Sequence, residues 1–315
     1  MLPAFRAFLT EIIDYAGLFP PAALDLDPAI RNHVRYRQSP EAWMLGRFIV
    51  PAARLSALDA YADLFAQAPP VGFSVLGLTD ASGGLDGTAR ATLEAARAFE
   101  ARHPGRVRCD RFELRAAPEA AGALAAVLSD LPLADGDGIA VEFPMTGDGY
   151  APEVIEEAAH GIAEANARAR EKRFALKLRC GGVTPDLVPG VERLADAVAA
   201  CAKADAPFKA TAGLHHPFRN YDEAVGAEMH GFMNLFGAAT LALARGFDRD
   251  AIAEVLDDGD GSHFQLGDAF AWRGFAVEAA GVHEARQRRA LSYGSCSFDE
   301  PIEDLRALGW MAPAE

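Results

Sequence analysis

Two short segments place cations where an extended chain would turn them to one side. In Phe174-Ala175-Leu176-Lys177-Leu178-Arg179-Cys180-Gly181-Gly182, side chains alternate, so Lys177 and Arg179 share the face opposite Leu176 and Leu178. Phe208-Lys209-Ala210-Thr211 repeats the arrangement, with Lys209 and Thr211 opposite Phe208 and Ala210. Lys177 stands four residues before Gly181 and Lys209 four before Gly213, so similar depth is expected for the two lysines. Enclosed together, each lysine disfavours the other's ammonium form, and desolvation adds to this. One of them can then be a neutral amine near neutral pH and attack a carbonyl. The resulting imine is an electron sink for making or breaking a carbon–carbon bond.

Carboxylates stand at matching places. Glu113 and Glu142 lie near the ends of apolar runs at 107–114 and 138–143, on the face opposite Val141 and Phe143 in the second run. Glu142 is the first candidate for moving protons and Glu113 the second. The inert alternative is an ion-pair network, Lys177 with Glu142 and Lys209 with Glu113. Arg179, Thr211 and the His215-His216 pair are candidates for holding a substrate. Adjacent histidines in an extended segment point opposite ways and rarely bind one metal together. One of them could join Glu142, Cys180 or Asp14 around a metal, yet no H-x-H, H-E-x-x-H or C-x-x-C spacing supports a metal, and none is assigned. Otherwise one histidine shuttles protons or binds an anionic group, or the pair only caps its loop before Pro217. Asn234 is expected to face the interior from a strand at 231–235. Phe236-Gly237 could then open a helix toward an anion, although close packing is the preferred reading of that glycine. Cys180 reads as packing rather than as a nucleophile, and Ser295-Cys296-Ser297 has no evident partner. Asp257-Asp258-Gly259-Asp260-Gly261 lacks the spacing of a calcium loop and reads as a turn.

The elements that must carry these residues alternate along the chain. Strand candidates at 47–50, 72–78, 107–114, 138–143, 174–179, 208–211 and 231–235, with a weaker first one at 14–18, are separated by helix candidates near 54–67, 87–102, 118–128, 152–172 and 191–203. Strands alternating with helices imply parallel pairing, and eight of them close an α/β barrel of the (β/α)8 type. The longest polar loops follow strands, the end at which such barrels place their chemistry. Residues 1–315 read as one domain, with 240–315 a largely helical extension.

Bulk properties limit the partners. Half of the residues are hydrophobic and the formal net charge is −15. A field of that sign repels nucleic acid and anionic lipid, so the expected partner is a small molecule held in a local positive pocket. Four scattered cysteines, no dinucleotide or phosphate-loop motif, no signal sequence and no membrane-length apolar run complete the expectation of a cytoplasmic protein that uses no cofactor. Composition says nothing of the oligomeric state.

Lysines on the sixth and seventh strands of a barrel, the second in Phe208-Lys209-x-x-x-Gly213, resemble the class I aldolases of the deoxyribose-phosphate aldolase type. The resemblance implies that Lys177 forms the Schiff base and that Lys209 lowers its pKa. This chain departs from that pattern where Leu178-Arg179-Cys180 replace small polar residues. It departs again where Leu214-His215-His216-Pro217 replace a glycine-rich phosphate turn, and where the acid after the third strand is displaced to Thr79-Asp80. These departures point away from a phosphosugar and toward another small, anionic carbonyl compound. A second resemblance, to a bacterial and plant barrel family, runs through 177–182, 208–219, 231–239 and 292–301. It implies common ancestry and carries no activity with it. Three functions follow: a Schiff-base lyase or aldolase; a metal-dependent hydrolase or lyase built from His215, His216, Glu142 and Asp14; and a binding protein or silent barrel with its lysines fully paired.

Overall fold

The computed structural model describes residues 2–66, 69–78, 83–169 and 173–313. Seven strands follow one another as expected: β1 (Ile13–Tyr15), β2 (Leu45–Pro51), β3 (Val71–Leu76), β4 (Val107–Arg115), β5 (Gly138–Glu142), β6 (Phe174–Arg179) and β7 (Phe208–Thr211). All pair in parallel with their neighbours in sequence. Two short antiparallel units follow, the hairpin β8 (Asn220–Asp222) and β9 (Ala227–Met229), and a sheet of β10 (Phe264–Leu266), β11 (Ala269–Trp272) and β12 (Phe275–Glu278). The barrel closes through β13 (Ala290–Ser295), which lies between β7 and β1.

Helices coat the barrel. They are α1 (Pro3–Leu9), α2 (Leu26–Tyr36), α3 (Gly84–Arg102), α4 (Leu124–Ser129), α5 (Pro152–Arg168), α6 (Val191–Ala204), α7 (Phe232–Arg245), α8 (Arg249–Asp257), α9 (Ala279–Arg288) and α10 (Asp299–Ala307). The reason is visible in α5. Pro152 opens it, where a missing N–H costs nothing, and Ile155, Ala158, Ala159, Ile162 and Ala165 make one buried stripe at helical spacing. That stripe covers the outer face of the sheet, where Val141, Leu176 and Leu178 are buried. The pleat is therefore fixed: the apolar face goes to the helices, and the alternate residues go inside.

The eighth strand is a correction. Residues 232–235 open α7 rather than form a strand. Every residue of α7 from Phe232 to Leu241 is buried, so its sequence has no polar face to show a helical period. The true closing strand is Ala290-Leu291-Ser292-Tyr293-Gly294-Ser295, whose serines and glycine are poor strand formers. Within the expected extension, the described residues 240–313 are thus not an appendage: they supply α8, the three-stranded sheet, α9, β13 and α10. The helix expected near 54–67 is a 3-10 run, Ala52–Phe65, broken at Tyr61. α5 ends at Arg168, and the expected helical residues 170–172, like Thr79-Asp80, lie outside the described residues. Among the described residues, no helix is long and apolar enough to cross a membrane.

Candidate active site in the barrel mouth

Register brings the charged residues to one level. Lys177 pairs directly with Lys209 across β6 and β7, and Glu142 pairs with Lys177 across β5 and β6. The glycines that follow the lysines explain the equal height. A methyl on Gly181 would lie 2.9 Å from the Gly213 Cα, so the loops leaving β6 and β7 touch.

The side chains form an alternating chain of charge across the interior. Asp14 Oδ2 lies 2.5 Å from Lys209 Nζ, which lies 2.6 Å from Glu113 Oε1. Glu113 Oε2 lies 3.0 Å from Lys177 Nζ, which lies 2.8 Å from Glu142 Oε2. Arg179 Nε then donates to Glu142 Oε1 at 2.9 Å, with Arg115 Nε at 3.7 Å. Ser74 Oγ donates to Glu113 Oε1 at 2.6 Å, and Ser292 Oγ to Asp14 Oδ2 at 2.7 Å. Both lysine side chains are only 6% exposed, whereas Arg179 is 24% and Arg115 73% exposed, so the chain runs from a closed interior to an open mouth.

Both pairings expected of an inert network are present, and Glu113 bridges the two lysines. This bridge reverses one expectation. Burial disfavours the Lys209 ammonium, but Asp14 and Glu113 outweigh it and raise the Lys209 pKa above its ordinary value. Burial likewise works against Glu113, and Lys209, Lys177 and Ser74 hold it well below the usual carboxylate range. Glu142 is also held below that range, with burial overcome by Lys177, Arg179 and Arg115.

The two lysines share Glu113 and differ in their second carboxylate. Lys209 donates to Asp14 Oδ2. Lys177 Nζ stands between two buried carboxylate oxygens, Glu142 Oε2 at 2.8 Å and Glu113 Oε2 at 3.0 Å. Lys177 is thus enclosed by negative charge from two neighbouring strands.

Asp14 is positioned by the neighbouring strand. Arg47 N donates to Asp14 Oδ1 at 2.7 Å, and a methyl on Gly46 would lie 2.2 Å from that same oxygen. Gly46→Ala is therefore expected to displace the Asp14 carboxylate from Lys209 and to cost about 1–3 kcal/mol in urea unfolding, the usual range for overpacking a core. The sequence marks Asp14 only as a lone acid in an apolar run, and it gives no sign of Ser74 or Ser292.

The remaining candidates divide. Thr211 pairs in register with Arg179 and with Gly294, inside the barrel near the mouth. His215 Nδ1 lies 2.7 Å from Glu300 Oε2, and His216 Nδ1 lies 2.7 Å from Asp304 Oδ2, one turn further along α10. The pair thus clasps the loop after β7 to α10 instead of reaching the lysines. Asn234 is not in the site. Its Oδ1 accepts from Arg219 N at 2.9 Å, and its Nδ2 donates to the Val255 and Asp258 carbonyls, each at 2.7 Å. Gly237 lies inside α7, where a methyl would strike the Phe270 ring at 2.6 Å, so close packing explains it.

The metal set expected from His215, His216, Glu142 and Asp14 is not brought together. The histidines face α10 carboxylates, and the two acids face cations. Among the described residues, no group of three or more His, Cys, Asp or Glu could hold a metal ion. Cys180 is fully enclosed, and burial pushes its thiol up to about 12, which makes it a packing residue. Asp258 is a structural anchor that accepts from Trp272 Nε1 at 2.9 Å and pairs with Arg273 at 2.9 Å. No family model matches this chain, and no curated protein matches it.

Proposed function

We propose that this barrel is an enzyme that joins Lys177 to a small carbonyl compound as a Schiff base and uses the imine for carbon–carbon bond cleavage or formation. The observation that carries the reading is the setting of Lys177 in the barrel interior between two buried carboxylates, Glu142 Oε2 at 2.8 Å and Glu113 Oε2 at 3.0 Å. A lysine so placed has a proton acceptor within reach and counter-charge for a cationic nitrogen.

The balance of charge supports it. Lys177 passes a proton to Glu142 Oε2, 2.8 Å away, and the free amine attacks the carbonyl carbon. Glu142 returns the proton as the adduct loses water, leaving a protonated imine. Ammonium and iminium both carry one positive charge at the same nitrogen. Glu113 and Glu142 therefore stabilise the iminium with little reorganisation. Lys209, fixed by Asp14, keeps Glu113 ionised throughout. This differs from the role implied by the aldolase resemblance, since the charge on Lys209 is shared with two acids instead of being set against Lys177. Arg179 and Arg115 at the mouth suit a carboxylate or another anionic group on the substrate.

An iminium acidifies the carbon next to it. In D2O the protein is expected to exchange the α-hydrogens of acetaldehyde or pyruvate, followed by loss of their proton NMR signals. Lys177→Met is expected to abolish the exchange. Exchange that persists in that variant would remove Lys177 from the reaction.

A further inference from the structure

A second cluster sits at the rim, outside the lysine network. Cys296 follows the last residue of β13 and is 9% exposed, whereas Cys109, Cys180 and Cys201 are 0–1% exposed. Its Sγ lies 3.8 Å from His215 Nε2. The other nitrogen of that ring, Nδ1, lies 2.7 Å from Glu300 Oε2. With Nδ1 donating to Glu300, Nε2 is the nitrogen that faces the sulfur and exchanges a proton with it. Glu300 is itself placed by the first turn of α10, where its N–H donates to Ser297 Oγ at 3.1 Å. His216 and Asp304 grip the same loop one turn on, so the imidazole is held from both sides of its backbone. A nucleophile, a base and a group that orients the base are thus in sequence, at a spacing that unliganded thiol–imidazole pairs commonly show.

We propose that Cys296, His215 and Glu300 form a second catalytic centre, in which the Cys296 thiolate takes acyl groups from activated esters or thioesters. The thiolate attacks the carbonyl carbon and a C–S bond forms. The bond to the leaving alkoxide or thiolate breaks, and that group takes the proton from His215 Nε2. Water then attacks the thioester carbonyl and gives a proton to Nε2. The C–S bond breaks, returning the thiolate and releasing a carboxylic acid.

The charge balance fits this order. Burial works against charging His215, but Cys296 and Glu300 prevail and raise its pKa to about 9, so the imidazole holds the proton once the sulfur is a thiolate. The centre is also spatially distinct from Lys177. Ser292 reaches Asp14 at the level of the network, and Cys296 is four residues further along the strand direction, on the order of 13 Å at about 3.3 Å per residue.

The test uses the whole protein and p-nitrophenyl acetate, with an acid quench and peptide mass spectrometry. The expected result is an acetyl group on Cys296 and an initial burst of nitrophenol, both reduced at least ~100-fold in His215→Asn, the range general-base loss commonly gives. Glu300 is half exposed, so Glu300→Gln is expected to fold; it should slow iodoacetamide alkylation of Cys296 about tenfold by freeing the imidazole. It carries the test if His215→Asn loses its circular dichroism. Acetylation of Cys296 at an unchanged rate in a folded His215→Asn, unchanged alkylation in Glu300→Gln, or acetyl groups confined to lysines would overturn the proposal.

Discussion

Replacing Lys177 with methionine is expected to end imine chemistry and to lower stability by about 3–5 kcal/mol, the range for removing one partner of a buried ion pair. The reason is the group left behind. Glu113 Oε2 and Glu142 Oε2 are both buried, and without the ammonium between them they are left facing an enclosed gap. Lys209 at 2.6 Å from Glu113 and Arg179 at 2.9 Å from Glu142 retain part of the compensation, so the lower end of the range is expected. Adding Glu142→Gln removes one stranded charge. The double variant should therefore be more stable than the sum of the two single changes by roughly 0.5–3 kcal/mol, as coupled neighbours usually are. Urea unfolding of the four proteins measures this. Strict additivity would mean that Lys177 and Glu142 do not share charge in the folded protein.

The second large effect is on stability against pH, which should peak near pH 6.5 and fall on both sides. On the acid side two buried histidines act first. Burial, with Arg37 nearby, lowers His33 to about 3, and burial lowers His230 to about 4 despite its contact with the Pro189 carbonyl at 2.8 Å. The unfolded chain protonates both near 6.5, so stability falls as pH drops from 6.5 through 4 to 3, by about 1.4 kcal/mol for each pH step of one, per histidine. Glu113 and Glu142 are held below their unfolded value, so their contribution is complete above about 4.3 and disappears as pH falls through the folded values. On the alkaline side His215 is raised to about 9, so its contribution is complete below about 6.5 and is lost as pH rises through 9. Lys209, raised above its ordinary value, adds stability that disappears only at higher pH still. Urea midpoints measured from pH 3 to 10 would trace this dome. His215→Asn should flatten the descent between pH 6.5 and 9, and His33→Phe should remove part of the acid limb.

The lysine layer is legible in the sequence because strand alternation is a strict rule. An apolar partner on each side of Lys177 and Lys209 leaves the cations one direction to go. The same rule turns Glu113 and Glu142 inward. It fails at α7, where complete burial erases the helical period. It fails again at β13, whose interior positions are Ser292, which donates to Asp14, and Gly294, where a methyl would lie 2.9 Å from the Ile49 side chain. Misplacing that strand hides Ser292, and it hides the company of Cys296. The partners of the histidines are beyond reach for another reason. Glu300 and Asp304 stand 85 and 88 positions away, on a helix whose place depends on the closing strand. Asp14 is visible as a lone acid, and its pairing with Lys209 needs the barrel to close.

Borohydride trapping tests the central claim most directly. The protein is incubated with acetaldehyde, propanal or pyruvate, reduced, digested and mapped by mass spectrometry. The expected result is a stable secondary amine on Lys177, absent in Lys177→Met and still formed in Cys296→Ser. An adduct on Lys209 with none on Lys177, or no adduct across the panel while Lys177→Met remains as stable as the parent protein, would contradict the account.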